Sequence, residues 1–219
     1  MTSIALMRLQ GVPRHALPVR QRGVVLFLAL VCLLAIMLAA VALVRSVDTS
    51  ALIAGNLVLQ QSATRSGDGG AEVAISWLTT TQSNNTTLNV LLDTNHPFNK
   101  DSASAGYYSG ATNLAFDSAT LTGLTWSSSN SAPGSTDASG NTTRYIIQRM
   151  CQTANVAVKD AGCLFSSATV DNNGQNVSLP QDICSGPGCP AAGQAAQMRI
   201  TTKTTGPKNT LSYVQTFVY

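Results

Sequence analysis

Residues 24–44 read VVLFLALVCLLAIMLAAVALV and contain no charged residue, proline, glycine or amide side chain. At 1.5 Å rise per residue, these 21 residues predict a helix roughly 31 Å long, which matches the hydrocarbon core of a bilayer. A helix satisfies its own backbone hydrogen bonds in lipid, so it can span a membrane without a partner. The alternative is a buried core helix, but such helices are usually shorter. We therefore expect residues 24–44 to span a membrane.

The charges that flank this segment predict its orientation. Residues 1–23 carry four arginines and no acidic residue. An excess of basic residues keeps a short flank in the cytoplasm, so the positive-inside rule predicts that residues 46–219 are exported. Without the leader, nine basic residues face ten acidic ones, so the formal net charge of +3 comes from the leader. We expect no nucleic-acid partner, because phosphate binding needs clustered Lys and Arg.

The composition argues against an enzyme. Only 11% of the residues are charged, and His15 and His96 are the only histidines. The sequence contains no nucleophile elbow, P-loop, zinc-protease or kinase motif. The run Asp171-Asn172-Asn173-Gly174 lacks the spaced acids of a calcium loop, so a solvated turn is the preferred interpretation. We expect no catalytic residue, no metal, no cofactor and no small-molecule substrate, and we expect His96 to lie in a loop.

The cysteines are consistent with export. Cys32 lies within the apolar segment and is most simply a small hydrophobic residue. Four cysteines on the exported side predict two disulfides in an oxidising compartment, with three possible connectivities. The pairs Cys151–Cys163 and Cys184–Cys189 are favoured weakly, because each closes a short loop. A zinc site is the alternative, although no pair shows the CxxC spacing.

The junction before the apolar segment reads Gln21-Arg22-Gly23 and is followed at once by Val24. A basic leader, then glycine, then a permanent apolar helix resembles the class III signal of type IV prepilins and pseudopilins. The resemblance implies that prepilin peptidase cuts between Gly23 and Val24 on the cytoplasmic side. It also implies that the new N-terminus, Val24, is methylated.

Two further regions resemble PilX-type minor pilins. After Arg45-Ser46, the chain carries the run AGNL at 54–57 and the amphipathic run AEVAISWL at 71–78. Near the C-terminus, the turn GPKNT at 206–210 lies between two strand-like segments. The resemblance covers roughly residues 20–80 and 143–219. It implies a structural subunit anchored in the inner membrane and later incorporated into a type IV pilus. The implied partners are other minor and major pilins.

The chain departs from the pilin pattern at two places. Counted from Val24, the fifth residue is Leu28, where major pilins usually carry a glutamate. The absence of that carboxylate favours a role at the tip or in initiation. Gly67, Gly69 and Gly70 predict a break or flexible turn in the helix, since each costs up to about 1 kcal/mol relative to alanine. The alternatives are a minor pseudopilin of a type II secretion system and a signal-anchored periplasmic binding module.

The predicted fold is α+β, with a long N-terminal helix packed on a C-terminal antiparallel sheet and a loop-rich middle. We expect a leader at 1–23, a membrane helix at 24–44, a helical extension at 45–80 and an exported domain at 81–219. Alternation predicts three antiparallel strands near 145–148, 197–203 and 211–218. Their helix-facing side is expected to include Ile200, Tyr213 and Phe217. The Ser- and Gly-rich stretch 127–143 predicts an exposed loop.

Overall fold

The computed structural model describes residues 22–111, 124, 126–167, 170, 172–175 and 177–219. The chain divides into two compact units, Met1–Ile53 and Ala54–Tyr219. Within the described part, the first unit is helical and its side chains are exposed. The second unit contains a helical segment, a five-stranded sheet and the hydrophobic core. The architecture is α+β, as the sequence predicts.

Helix α1 runs from Arg22 to Ser83. The predicted break at Gly67, Gly69 and Gly70 is wrong, because the helix continues through all three. The reason lies in the packing on the sheet. A Cβ built on Gly67 would lie 2.8 Å from a methyl carbon of Val214, and one on Gly70 would lie 3.2 Å from Thr143 Cβ. The glycines therefore permit close approach between helix and sheet, and that contact offsets their low helix propensity.

The three predicted antiparallel strands are confirmed and lie side by side. Strand β3 pairs with β4 through eight residue pairs, and β4 pairs with β5 through another eight. The other edge of β3 is shared by β1, which is parallel to it, and by β2, which is antiparallel. The strands are β1 Tyr107–Tyr108, β2 Ala132–Thr136, β3 Thr142–Arg149, β4 Met198–Thr205 and β5 Leu211–Val218.

The core forms where α1 crosses the sheet. Ala71, Ala74 and Leu78 repeat at helical spacing and pack with Tyr145, Ile147 and Ile200 from β3 and β4. Phe98, Tyr107 and Ala132 complete the buried cluster. The amphipathic run 71–78 thus buries its two alanines and Leu78, whereas Ile75 is 37% exposed.

Two residues assigned to the helix-facing side of the sheet lie on the opposite side. Ile200 is fully buried against the helix, but Tyr213 and Phe217 are 39% and 40% exposed. The register explains the difference, because Ile200 pairs with Thr216. Side chains alternate between the faces of a sheet, so Tyr213 and Phe217 point away from α1.

The middle of the chain contains more ordered structure than its composition predicts. The stretch 127–143 is not a single exposed loop, since it includes β2 and the start of β3. Ser131, Ala132 and Asn141 are buried within it. The Ser- and Gly-rich segment is ordered because β2 pairs with the edge of β3.

Candidate processing and anchoring site

The predicted processing junction lies in the part of α1 nearest the leader. Gly23 and Val24 are helical, and the described range of α1 starts at Arg22. A Cβ on Gly23 would meet no atom within 4 Å, and the Val24 side chain is 64% exposed. Neither position is packed against the rest of the described chain, whereas cleavage and methylation at this peptide bond stay predictions.

The apolar segment behind the junction is exposed on all sides within its unit. Its described large side chains range in exposure from 48% at Val31 to 73% at Leu26. In the described part of the chain, one helix is long and apolar enough to cross a membrane, with a mean hydropathy of 3.2 over its best window. A helix that is apolar all round needs lipid or other apolar helices around it. The segment therefore fits a membrane anchor.

Leu28 lies in this exposed segment and presents an apolar side chain that is 62% exposed. The first acidic residue of the whole sequence is Asp48. The N-terminal part of α1 therefore contains no carboxylate that could pair with an amine or a basic side chain of a neighbouring helix.

The four cysteines of the C-terminal part form the two short-loop disulfides that the sequence analysis favours. Cys151 bonds to Cys163 across 12 positions, and Cys184 bonds to Cys189 across five. Since all four sulfurs are paired, they are not ligands in a zinc site. Both bridges lie in the long connection between β3 and β4, where each closes a short loop. Disulfides of this kind indicate an oxidising compartment, in agreement with export.

A buried arginine holds the loops around β3 together. Arg149 is fully buried at the end of β3 and donates from Nε to the carbonyl of Ser109 at 2.8 Å. Its terminal nitrogens donate to Asn99 Oδ1 and to the carbonyl of Val156. Burial lowers the pKa of Arg149, while nearby Tyr107 and Asp101 act in the opposite direction. One guanidinium thus joins three separate loop segments through neutral acceptors.

Asp101, Ser109 and Asn155 form a second hydrogen-bond network next to Arg149. Asp101 accepts hydrogen bonds from the N–H and the hydroxyl of Ser109, both at 2.7 Å. Asn155 accepts from the N–H of Asp101 and donates its own N–H to the Ser109 hydroxyl, each at 2.8 Å. Sequence analysis missed this network and Arg149. The only sequence signal was a single arginine two residues after the apolar run Tyr145–Ile147.

His96 lies in a loop, as expected, but it is fully buried there. Its Nδ1 accepts the N–H of Phe98 at 3.1 Å and caps the short 3-10 turn Pro97–Asn99. Burial lowers the pKa of His96, and the charge of Arg149 acts in the same direction while Asp93 opposes both. The imidazole is therefore a neutral structural cap. Asn172–Gly174 form an exposed turn, whereas Asp171 lies outside the described residues.

An apolar groove of about 690 Å³ opens between the end of α1, the sheet and the segment just before the Cys184–Cys189 disulfide. The helix contributes Ile75 and Leu78, the strands contribute Met198 and Val218, and this segment contributes Leu179 and Ile183. Pockets that bind small apolar molecules have this size and lining. In the described residues, no group of three or more His, Cys, Asp or Glu side chains is placed to hold a metal.

No protein-family model, no curated protein and no solved structure matches this chain. The combination of a long apolar N-terminal helix with a mixed five-stranded sheet is pilin-like in shape.

Proposed function

We propose that this chain is a PilX-like minor pilin, a structural subunit that primes assembly of a type IV pilus and is incorporated at its tip. The observation that carries the proposal is Gly23 directly before the exposed apolar run 24–44, at a position where a Cβ would meet no atom within 4 Å. Prepilin peptidase would remove residues 1–23, and the apolar helix would pass from the membrane into a bundle of pilin helices. Lipid and neighbouring apolar helices are equivalent surroundings for such a segment, because neither requires polar partners.

The apolar residue at position 28 supports the tip location within this proposal. A subunit without a carboxylate there cannot make a charge pair with the amine of the subunit ahead of it. At the end of a filament no subunit lies ahead, so the missing charge pair costs no free energy there. The disulfides support export of the domain, because they form and persist in an oxidising compartment.

The decisive experiment measures the N-terminal peptide of the protein by mass spectrometry, in cells with and without prepilin peptidase. We expect a chain that begins with methylated Val24 only when the peptidase is present. Gly23→Leu should keep the leader, because a bulky side chain blocks entry of the backbone into the protease site. Gly55→Leu, a matched change at an open position of the same helix, should leave processing intact. An unprocessed leader in all strains would contradict the proposal.

A second measurement separates a pilus from a secretion system. Mechanical shearing releases surface filaments, so we expect the processed chain in the sheared fraction and a loss of filaments when its gene is deleted. Processing without either result, but with a defect in protein secretion, would favour the pseudopilin of a type II system.

The apolar groove favours a second candidate, a periplasmic binding module held by an uncleaved anchor. Its size and lining suit an apolar ligand. An intact leader together with saturable binding of a fluorescent apolar probe, abolished by Leu78→Asp, would support this candidate over the pilin.

A further inference from the structure

The apolar groove at the end of α1 lies wholly within the unit Ala54–Tyr219, so it is independent of the leader and of the apolar run 24–44. Its volume of about 690 Å³ falls in the range of sites that enclose one small molecule. A specific protein partner needs about 800 Å² of contact surface on each side. The groove therefore fits a single small molecule better than it fits a protein segment or a second copy of this chain.

The side chains that line the groove offer a ligand almost no charge. Among these described residues, the one charged side chain is Arg149, and none is acidic. Arg149 is fully buried, and its guanidinium already donates to three neutral acceptors. A charged ligand in the groove would lose its hydration without gaining a partner, so the lining favours an uncharged ligand.

Three amide side chains lie along the groove, and one of them has a free hydrogen-bonding capacity. Asn89 donates to the carbonyl of Ile183 at 3.0 Å, and Gln194 donates to the carbonyl of Ser166 at 2.9 Å. The side-chain amide of Gln82 is exposed and bonds to none of the described residues. It is therefore available to donate to, or accept from, one polar group of a ligand.

One wall of the groove is held in place by a disulfide. Ile183 and Pro190 both line the groove, and they directly flank the Cys184–Cys189 bridge. A Cβ built on Gly188 would collide with the carbonyl oxygen of Lys159, so this loop packs closely against the loop that the other disulfide closes. A wall that is already ordered binds a ligand without a further entropy cost.

We propose that the groove is a binding site for one uncharged apolar molecule that carries a single hydrogen-bonding group, such as a medium-chain alcohol. The apolar chain would lie against Ile75, Leu78 and Ile183, and the polar group would bond to the amide of Gln82. This inference names the ligand class of the binding-module candidate and goes beyond the pilin assignment. It rests on the groove alone, with or without the leader.

The test follows the isoleucine methyl groups by NMR, on the full chain in lipid nanodiscs. The probes are 1-butanol and 1-hexanol, which dissolve in water. We expect saturable shifts at Ile75 and Ile183, whereas Ile200 in the core should stay unchanged. Ile36, in the apolar run, reports any entry of the alcohol into lipid. Each additional buried CH₂ group should tighten binding about fourfold.

Matched probes and one pair of variants test the ligand class. Hexanoate and hexylammonium have similar chains but carry a charge at pH 7, so both should bind about tenfold more weakly than 1-hexanol or worse. Gln82→Leu removes the free amide and should weaken the binding of 1-hexanol by a factor of about 2–10. Gln61→Leu, the same change at an exposed position of α1 outside the groove, should leave the affinity unchanged.

A second pair of variants locates the site. Ile183→Asp places a charge in the groove and should abolish the shift at Ile75. Val73→Asp places the same charge on α1 outside the groove and should change nothing. The two positions are matched, since Ile183 is 41% exposed and Val73 is 38% exposed. The methyl group of Ile200 reports that both variants remain folded.

The proposal is overturned if the shifts at Ile75 do not saturate, or if they follow those at Ile36. It is also overturned if a charged probe binds as tightly as 1-hexanol, or if Ile183→Asp and Val73→Asp behave alike. Shifts that grow with protein concentration without a probe would assign the groove to a second copy instead. Chains with the leader and chains that begin at Val24 should bind alike, so failure here is distinguishable from failure of the pilin assignment.

Discussion

The hydroxyl of Ser66 on α1 donates a hydrogen bond of 2.6 Å to the carboxylate of Asp137, at the tip of the β2–β3 hairpin. The same carboxylate accepts the side-chain amide of Asn141 at 2.7 Å and the N–H groups of Ser139 and Asn141. Asn141 in turn donates to Ser62, one turn earlier on the helix. One acidic side chain thus organises the hairpin and fastens it to α1.

Asp137 should make the stability of the unit Ala54–Tyr219 depend on pH. Its hydrogen bonds from Ser66 and Asn141 lower its pKa from 3.8 to about 2. A carboxylate with a lowered pKa stabilises the fold above its unfolded pKa, and this contribution is lost as the pH falls through the folded pKa. Asp137→Asn should therefore lower the Tm near neutral pH, and the difference from the unmodified chain should shrink between pH 4 and pH 2.

The control for this measurement is Asp68→Asn, an exposed carboxylate on the same helix. It should leave the Tm nearly unchanged over the whole range. A constant difference between Asp137→Asn and the unmodified chain from neutral pH to pH 2 would contradict the role given to Asp137.

Gly67→Ala should destabilise the domain although alanine is the better helix former. The added Cβ would lie 2.8 Å from Val214 Cγ2, and valine in a strand has little freedom to move aside. Overpacking of this kind costs about 1–3 kcal/mol, which exceeds the gain of up to about 1 kcal/mol in helix propensity. Denaturant unfolding measures the difference, and Gly67→Ala combined with Val214→Ala should recover part of it.

Gly55→Ala is the matched control, because a Cβ there meets no atom within 4 Å. It should stabilise the helix by up to about 1 kcal/mol. If both substitutions stabilise equally, close packing is not the reason for glycine at position 67.

The glycines show where sequence reasoning reaches its limit. Helix propensity is a local quantity, whereas the approach of Gly67 and Gly70 to the sheet depends on residues more than 70 positions away, such as Val214 and Thr143. The alternation in β4 and β5 was sufficient to predict two strands and the turn between them. It could not show which face meets α1, because both faces carry apolar residues and the choice depends on the pairing of Ile200 with Thr216.

The long apolar helix could be predicted from sequence because its signal is local. The apolar run and the residues just before it are contiguous, and neither depends on tertiary structure. The polar network around Arg149 is the opposite case, since its acceptors Asn99 and Ser109 lie 50 and 40 positions earlier in the chain. No pattern within a strand identifies such partners.

Arg149→Met should destabilise the unit Ala54–Tyr219 by about 3 kcal/mol or more. The substitution preserves much of the volume but removes the donors to Asn99, Ser109 and Val156, and each buried acceptor left without a donor costs about 1–3 kcal/mol. Denaturant unfolding should show the loss, and amide exchange should increase in the loops that contain these acceptors.

Arg65→Met removes an exposed arginine from α1 and serves as its control. We expect a change within about 0.5 kcal/mol for this surface position. An equally small effect of Arg149→Met would mean that water or rearranged loops satisfy the three acceptors.

His96 should add a second pH dependence, in a higher range. Burial lowers its pKa below 6.5, so protonation favours the unfolded chain. The fold then has its full stability above pH 6.5 and loses part of it as the pH falls from there toward the folded pKa. His96→Asn keeps a side-chain oxygen that can accept the N–H of Phe98 but cannot titrate in this range. Its stability should therefore be flat between pH 7 and pH 5, where that of the unmodified chain declines.

The groups facing His96 are Asp93 and Arg149, and Asp93→Asn should steepen the decline because it removes the charge that opposes the lowered pKa. Equal slopes for the unmodified chain and His96→Asn would assign the decline to other groups.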